Sequence, residues 1–379
     1  MKSQVWSERK VAIVGVGTTK QGLHPGKSAY ELAVAALKSA IDDAGITDKS
    51  RIDGLLGGRQ FTDGTGIDPM EMSRLLGLEP RVTGALDYGT GGFTTQYGAM
   101  LIATGTCDLV ACVFGRNPSN PMEGLSGGRA YNHDHGFVNS ASVAALGWTQ
   151  HMARYGTTEE ALGHVMLNAR NHARLNPIAA WTDPLTIEDY LAQPYVIWPF
   201  RSYDICKVTA GAVAIIMARG DIARDMAKQP VYMHAVGRQQ APRLLEDEDH
   251  FLCRNMRGAA SQVYSAAGMT PKDIDALYIS DASTAAVLLT LENFGFCDEG
   301  ECGDFVKRGA IGLGGEIPVN TSGGQLSEGY LVGWLHHAEL VRQLRGECGE
   351  RQVHGAKVAQ YCTTGRIRED FLSSIYVTD

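Results

Sequence analysis

One short unit of sequence occurs twice. Ala44-Gly45-Ile46-Thr47 precedes Ile52-Asp53-Gly54-Leu55, and Ala267-Gly268-Met269-Thr270 precedes Ile274-Asp275-Ala276-Leu277. The offset is 223 positions from Ala44 to Ala267 and 222 from Ile52 to Ile274, so one residue is gained or lost between the copies. Each copy reads as a helix ending in Ala-Gly, a turn, and the entry to a strand. Recurrence of such a unit once per half of the chain implies internal duplication. With 379 residues, 44% of them hydrophobic, the chain is longer than one core usually grows, which fits a duplicated core.

The pattern around the repeat is layered α/β. Val11 to Gly17 is a β-branched apolar run closed by glycine, the mark of a buried strand. From Ser28, apolar residues at Leu32, Ala35, Ala36, Ile41 and Ala44 recur at helical spacing, with Gly45 as the C-terminal glycine. Further strands are expected at 109–115, 208–217, 231–237, 276–280, 357–362 and 374–378. Helices are expected at 93–104, 157–175, 247–267, 283–294 and 325–344. On the last of these, His336 and His337 read as helix-face residues. The halves are placed at 1–228 and 229–379. The first carries a polar, aromatic-rich insertion at about 116–203, too long for an ordinary loop and read as a lid or assembly surface.

Composition excludes some partners. A net charge of -8 and a pI near 5.8 argue against a nucleic-acid or anionic-membrane surface. No apolar run of about 18 residues is present, so no membrane insertion is expected. The polar start and eight scattered cysteines without a CxxC pair point to a cytoplasmic protein without a disulfide framework. No metal site is expected. Cys297 and Cys302 have no second ligand pair, and the adjacent residues of His133-Asp134-His135 point to opposite faces of an extended chain. Gly15-Val16-Gly17 lacks the third glycine of a dinucleotide fingerprint and is a tight turn.

Two glycine-rich turns lead directly into helical patterns: Gly89-Thr90-Gly91-Gly92-Phe93, and Asn320-Thr321-Ser322-Gly323-Gly324-Gln325 followed by Glu328-Gly329-Tyr330. Backbone amides at such helix starts stabilise anions. Ser280-Asp281-Ala282-Ser283 and Cys362-Thr363-Thr364-Gly365 close two expected strands, where open α/β sheets place ligands, so the four segments are expected to share one pocket.

Together these segments resemble the thiolase superfamily, in particular the sterol carrier protein type thiolases and their lipid-transfer-like relatives. The resemblance spans almost the whole chain. It is carried by Asn168 to Asp204, with LNP at 175–177, DPLTIEDYLA at 183–192 and YDIC at 203–206, by Leu288-Leu289-Thr290 with Glu292, by the PVN and SGG of 318–324, and by the duplicated halves. It implies the thiolase fold, two βαβαβαββ halves in a five-layered α-β-α-β-α core with a loop insertion.

The family's catalytic positions are changed. Its nucleophilic cysteine falls on Gly89, the histidine of its HDCF-type segment on Ser280, and its GHP histidine on Tyr330; the C-terminal cysteine is kept as Cys362. Thiolysis needs a cysteine to carry the acyl group and a histidine to deprotonate it. The pattern is similar to thiolase-like aldolases, including those of steroid catabolism, in which a tyrosine stands at the GHP position and a second tyrosine where this chain has Ser280.

That resemblance implies a carbon-carbon lyase cleaving a β-hydroxyacyl-CoA to an aldehyde or ketone plus a shortened acyl-CoA. Tyr330 would transfer the proton, Asp281 would orient Tyr330 or a water, and Ser280 and Cys362 would complete the catalytic set. Amides around Gly89, Thr90, Gly323 and Gly324 would hold the thioester oxygen. It also implies no cofactor beyond the CoA of the substrate, a homodimer, and a small partner subunit with an OB-fold and a zinc ribbon. The alternatives are a non-catalytic acyl-CoA or lipid carrier and an acyltransferase using Cys362.

Overall fold

In the computed structural model the described residues are 10–59, 66–87, 90–118, 140–240, 250–365 and 370–379. The first half runs β1 (Val11–Thr18), α1 (Ala29–Ala44), β2 (Gly54–Arg59), α2 (Pro69–Leu76), β3 (Val82–Asp87), α3 (Gly91–Ala103) and β4 (Leu109–Arg116). The insertion follows with α4 (Ser140–Tyr155), α5 (Glu160–Ala173), α6 (Ile187–Leu191) and a hairpin of β5 (Tyr195–Ile197) and β6 (Phe200–Arg201). Then β7 (Gly211–Arg219) and α7 (Gly220–Ala223) lead to the second half. That half contains β8 (Val231–Gln240), α8 (Met256–Ala267), β9 (Ala276–Ile279), α9 (Thr284–Asn293), α10 (Cys302–Lys307), α11 (Gly324–Ser327), α12 (Trp334–Leu344), β10 (Val358–Gly365) and β11 (Asp370–Val377).

The duplication is visible in the strand order. The first half is arranged β3-β2-β4-β7-β1 and the second β9-β10-β11-β8, with Val319 bridging in parallel to Leu277 outside β9. In both halves the strands, counted in chain order, lie 3-2-4-5-1. In both, the second strand pairs in parallel with the third and fourth, and the fifth pairs antiparallel with the fourth and first. β1 also meets β8 through Ala12–Tyr232 and Ile13–Val231, which joins the halves into one nine-stranded hydrogen-bonded sheet.

Alternation along the strands separates the layers. Ala12 and Val14 face an outer core with Leu32, Ala36 and Ala40 of α1, whereas Val11 and Ile13 face a middle core with Phe93 and Ile102 of α3 and Trp334 and Val341 of α12. α3 and α12 each touch strands of both halves and one another, so they form the central layer. Trp334 stacks on Phe114 of β4 at 5.8 Å. Among the described residues no helix is long and apolar enough to cross a membrane.

Two expectations change. The helix expected over 325–344 is interrupted: α11 ends at Ser327, Tyr330 bridges to Val208, Val332 and Gly333 have φ of 50° and 79°, and α12 starts only at Trp334. Apolar spacing continues through the break, so periodicity alone does not reveal it. The described part of the insertion, expected as a lid or assembly surface, is built into the second half. Its α4 and α5 pack on α9, α10 and α11 of the second half, burying Trp148, Leu162, Val165 and Met166 in the outer core. His133, Asp134 and His135 lie outside the described residues.

The repeated helix ends share a backbone but not an environment. Gly45 and Gly268 cap α1 and α8 at φ 68° and 67°, both left-handed. A Cβ on Gly45 would sit 2.6 Å from the Ala227 Cβ, whereas one on Gly268 would meet nothing within 4 Å. Gly268→Ala is therefore expected to cost about 1 kcal/mol, the left-handed strain alone. Gly45→Ala adds overpacking, for a total of about 2–4 kcal/mol. Urea unfolding followed by circular dichroism checks this; equal losses would contradict the close approach at Ala227.

Candidate active site

Three of the four expected segments converge at one end of the central layer. Asp281 follows β9 and is 1% exposed. Its Oδ1 accepts from the Gln325 amide at 2.8 Å and from His336 Nε2 at 3.0 Å, and its Oδ2 accepts from the Leu326 amide at 3.2 Å. Gly324 is held at φ 60°, and a Cβ there would lie 2.2 Å from Asp281 Oδ2. Only glycine permits this approach. Beside it, the Gln325 side chain bridges two elements, donating from Nε2 to Ser280 Oγ at 3.1 Å and accepting the Gly333 amide at Oε1 at 3.0 Å.

The loop that carries Tyr330 is fixed along its length. The Tyr330 amide donates to Thr209 Oγ1 at 3.1 Å, and the Gly91 amide of α3 donates to the Val332 carbonyl at 3.1 Å. α3 and α12 thus bring their N-termini to the same place, where two helix dipoles favour negative charge. Thr90 is buried and caps α3, accepting the Phe93 amide at 3.4 Å. The Tyr330 ring lies under the guanidinium of Arg116, the last residue of β4, at 5.7 Å from the ring centroid; Arg116 itself is 2% exposed.

The insertion braces the same elbow. Asn176 Nδ2 donates to the Ser322 carbonyl at 3.0 Å, Arg170 Nε to Ser327 Oγ at 3.3 Å, and the Ala180 and Trp181 amides to the carbonyls of Glu328 and Ser327. The LNP segment therefore positions the site instead of covering it.

Geometry bears on several of the expected roles. Asp281 directs its oxygens to the elbow and to His336, not to Tyr330, because its carboxylate completes otherwise buried amides. The amides beside Gly324 are largely occupied, those of Gln325 and Leu326 by Asp281 and that of Gly323 by the Asn320 carbonyl. Cys362 lies on the outer face of β10, its Sγ 3.5 Å from Ser373 Oγ, while Tyr330 packs on the middle core. Strand alternation puts the thiol in a different layer from the tyrosine, and burial pushes it up to about 12. Gly89 lies outside the described residues.

Sequence reasoning passed over His336, Gln325 and Arg116. His336, expected only as a helix-face residue, lies on α12, is 1% exposed and pairs with Asp281. Arg116 had a usable signal, a lone cation ending a wholly buried strand, VACVFGR. His151, Glu292 and Cys302 also gather metal-capable atoms within 4.8 Å. Glu292 Oε1 already accepts from His151 Nε2, the Gly300 amide and the Cys302 amide, which accounts for the cluster as a buried hydrogen-bond network.

Behind Tyr330, Glu328 is 2% exposed and accepts from Ser322 Oγ at 2.6 Å. Burial, reinforced by the charge of Glu339, raises its carboxyl from 4.5 to about 7. The folded chain therefore holds a proton that the unfolded chain has already lost. Its contribution to stability is full below about pH 4.5 and lost as pH rises to about 7. Relative to the parent, Glu328→Gln should gain roughly 2–3 kcal/mol on going from about pH 5 to about pH 8. Urea unfolding at both values tests this; parallel pH dependence in the two proteins would contradict a buried, protonated Glu328.

A family described as thiolase C-terminal domain-like matches residues 237–378. The chain is 32% identical over 359 residues to a 17-hydroxy-3-oxo-4-pregnene-20-carboxyl-CoA lyase of Mycobacterium tuberculosis, covering 89% of this chain and 92% of that one. It is 32% identical to a steroid side-chain-cleaving aldolase of Thermomonospora curvata, covering 88% and 90%. Among solved structures, an Ltp2-ChsH2(DUF35) aldolase superposes with a TM-score of 0.88 at 29% identity over 98% of both chains. With the repeated strand order and a tyrosine on the loop before the second central helix, these likenesses show that the chain belongs to the thiolase superfamily, in the branch of sterol carrier protein type thiolases and aldolases.

Proposed function

We propose that this chain is an aldolase-type lyase that cleaves a β-hydroxyacyl-CoA without a covalent acyl-enzyme. The observation that carries this reading is Tyr330, fixed beneath a buried guanidinium at the convergence of two helix N-termini. The cysteines support it from the other side. Seven are buried and Cys297 is half-buried. Burial pushes the thiols of Cys107 up to about 11 and of Cys297 and Cys362 up to about 12, so these do not supply a thiolate near neutral pH.

Tyr330 as phenolate takes the proton of the β-hydroxyl. The Cα–Cβ bond then breaks, the β-carbon leaves as an aldehyde or ketone, and the bonding pair passes to the thioester as an enolate. The helix N-termini favour that charge. The enolate takes a proton at Cα, returned by Tyr330 or water, and becomes the shortened acyl-CoA. No free CoA and no oxidant enter. We assign Asp281, His336, Gln325 and Ser280 to holding the elbow that carries this geometry, and we leave Cys362 outside the mechanism.

The names of the relatives extend the reading to a bulky, steroid-like acyl group. The solved aldolase is named for two components, which supports a separate small OB-fold and zinc-ribbon subunit here as well. We assign a homodimer contact to β3, the edge strand of the first half, beside the exposed Met70 of α2, whose Sδ lies 3.2 Å from Thr83 Oγ1. We place the enzyme in the cytoplasm, where eight unbonded cysteines are at home.

Incubation of the purified chain, alone and with a co-purified partner, with a panel of β-hydroxyacyl-CoAs is expected to release a carbonyl compound and a shortened acyl-CoA without added CoA. Tyr330→Phe should lower kcat by about 10²–10⁴-fold with the fold intact, the range expected for loss of a proton-transfer group. Unchanged turnover in that variant would remove Tyr330 from the mechanism. Thioester binding with no product in any combination would identify a carrier instead.

A further inference from the structure

An unperturbed tyrosine ionises near pH 10 and is a poor base near neutrality. What surrounds Tyr330 therefore decides whether it can act. Arg116 closes β4, whose eight residues are all buried, and its guanidinium carbon stands 5.7 Å from the Tyr330 ring centroid. The strand end is tied down by Asn117, whose Nδ2 donates to the His24 carbonyl at 2.8 Å and to the Lys27 carbonyl at 2.6 Å. The cation thus sits on a rigid strand and not on a flexible surface arm.

Among the described residues, the other ionisable groups named here have partners of their own. Asp281 faces His336 and the elbow amides, Glu328 faces Ser322, and Lys207 lies over the Tyr203 ring at 5.9 Å. Cys206 is a buried thiol on which the charge of Arg116 also acts, opposing burial. Among the described residues, Arg116 is the cation packed on the Tyr330 ring.

We propose that Arg116 is the positioning residue for Tyr330, favouring its phenolate form so that the tyrosine takes a proton near neutral pH. Phenolate charge is delocalised into the ring, so a guanidinium over the ring face meets negative charge that the neutral phenol lacks. An opposite charge within about 4–6 Å lowers an acid's pKa by about 1–3 units, and a buried cation is poorly screened by salt. This assignment rests on the lyase reading only for its consequence in catalysis; the ionisation itself is a property of the free chain.

The full-length chain labelled with [13Cζ]tyrosine allows a direct titration by NMR, with Tyr330→Phe identifying the Tyr330 resonance. In the parent, Tyr330 should titrate at least about one unit below the ordinary value near 10. Arg116→Met should raise that midpoint by about one unit or more, and Arg116→Lys, which keeps the charge, should restore part of the difference. With a substrate in hand, the limb of kcat/KM governed by Tyr330 should move upward in pH by the same amount in Arg116→Met. A parent midpoint at or above about 10, or equal midpoints in parent and Arg116→Met, overturns the proposal. The parent titration decides this even if Arg116→Met does not fold. Failure of the parent to cleave any β-hydroxyacyl-CoA overturns the lyase reading instead, and leaves the titration to judge Arg116 on its own.

Discussion

The Asp281 carboxylate is the joint on which the site depends. It lies in the second half of the fold, at the end of β9, and accepts two consecutive amides of the elbow and the imidazole of His336 on α12. A buried carboxylate without such donors would be several kcal/mol too costly to keep ionised, and buried elbow amides without an acceptor would carry their own penalty. Each side resolves the other's problem. Because Gly324 has no side chain, the two come close enough for this to happen. Once the elbow is fixed, Gln325 holds the start of α12, and the loop between them presents Tyr330 beside Arg116.

The fold separates what is inherited from what is particular to this chain. The convergence of α3 and α12 is a property of the duplicated architecture and offers stabilisation to an anion regardless of how it forms. What varies is the side chain on the loop before α12: Tyr330 stands where the resemblance puts the GHP histidine of the family's thiolases. An imidazole beside a thiol needs no adjacent cation, whereas a phenol intended to lose its proton benefits from one, and a buried arginine ends the neighbouring strand.

Much of this was legible in the sequence. The repeat gave both helix ends and the entry to both second strands because glycine in the left-handed region leaves a local signature. The elbow at Asn320 to Gln325 and its proximity to Ser280 and Asp281 were likewise visible as strand-end and turn chemistry. What was hidden is non-local. The break before α12 depends on the bridge from Tyr330 to Val208 and on Gln325 reaching Gly333, contacts that no helical periodicity encodes. The insertion's task was hidden for the same reason: Arg170 and Asn176 look like ordinary helix and turn residues until the elbow they brace is placed beside them. For Cys362, motif matching fixes a position along a strand but not the face to which alternation assigns it.

The burial of the thiols has a consequence for the conditions under which the chain can work. A cysteine enzyme carries an exposed thiolate, and peroxide converts that thiolate first to sulfenic acid and then irreversibly further. Here seven of eight cysteines are buried, and those with elevated thiols resist the ionisation on which oxidation depends. A reaction that uses none of these thiols is thereby insulated from the redox state of its surroundings.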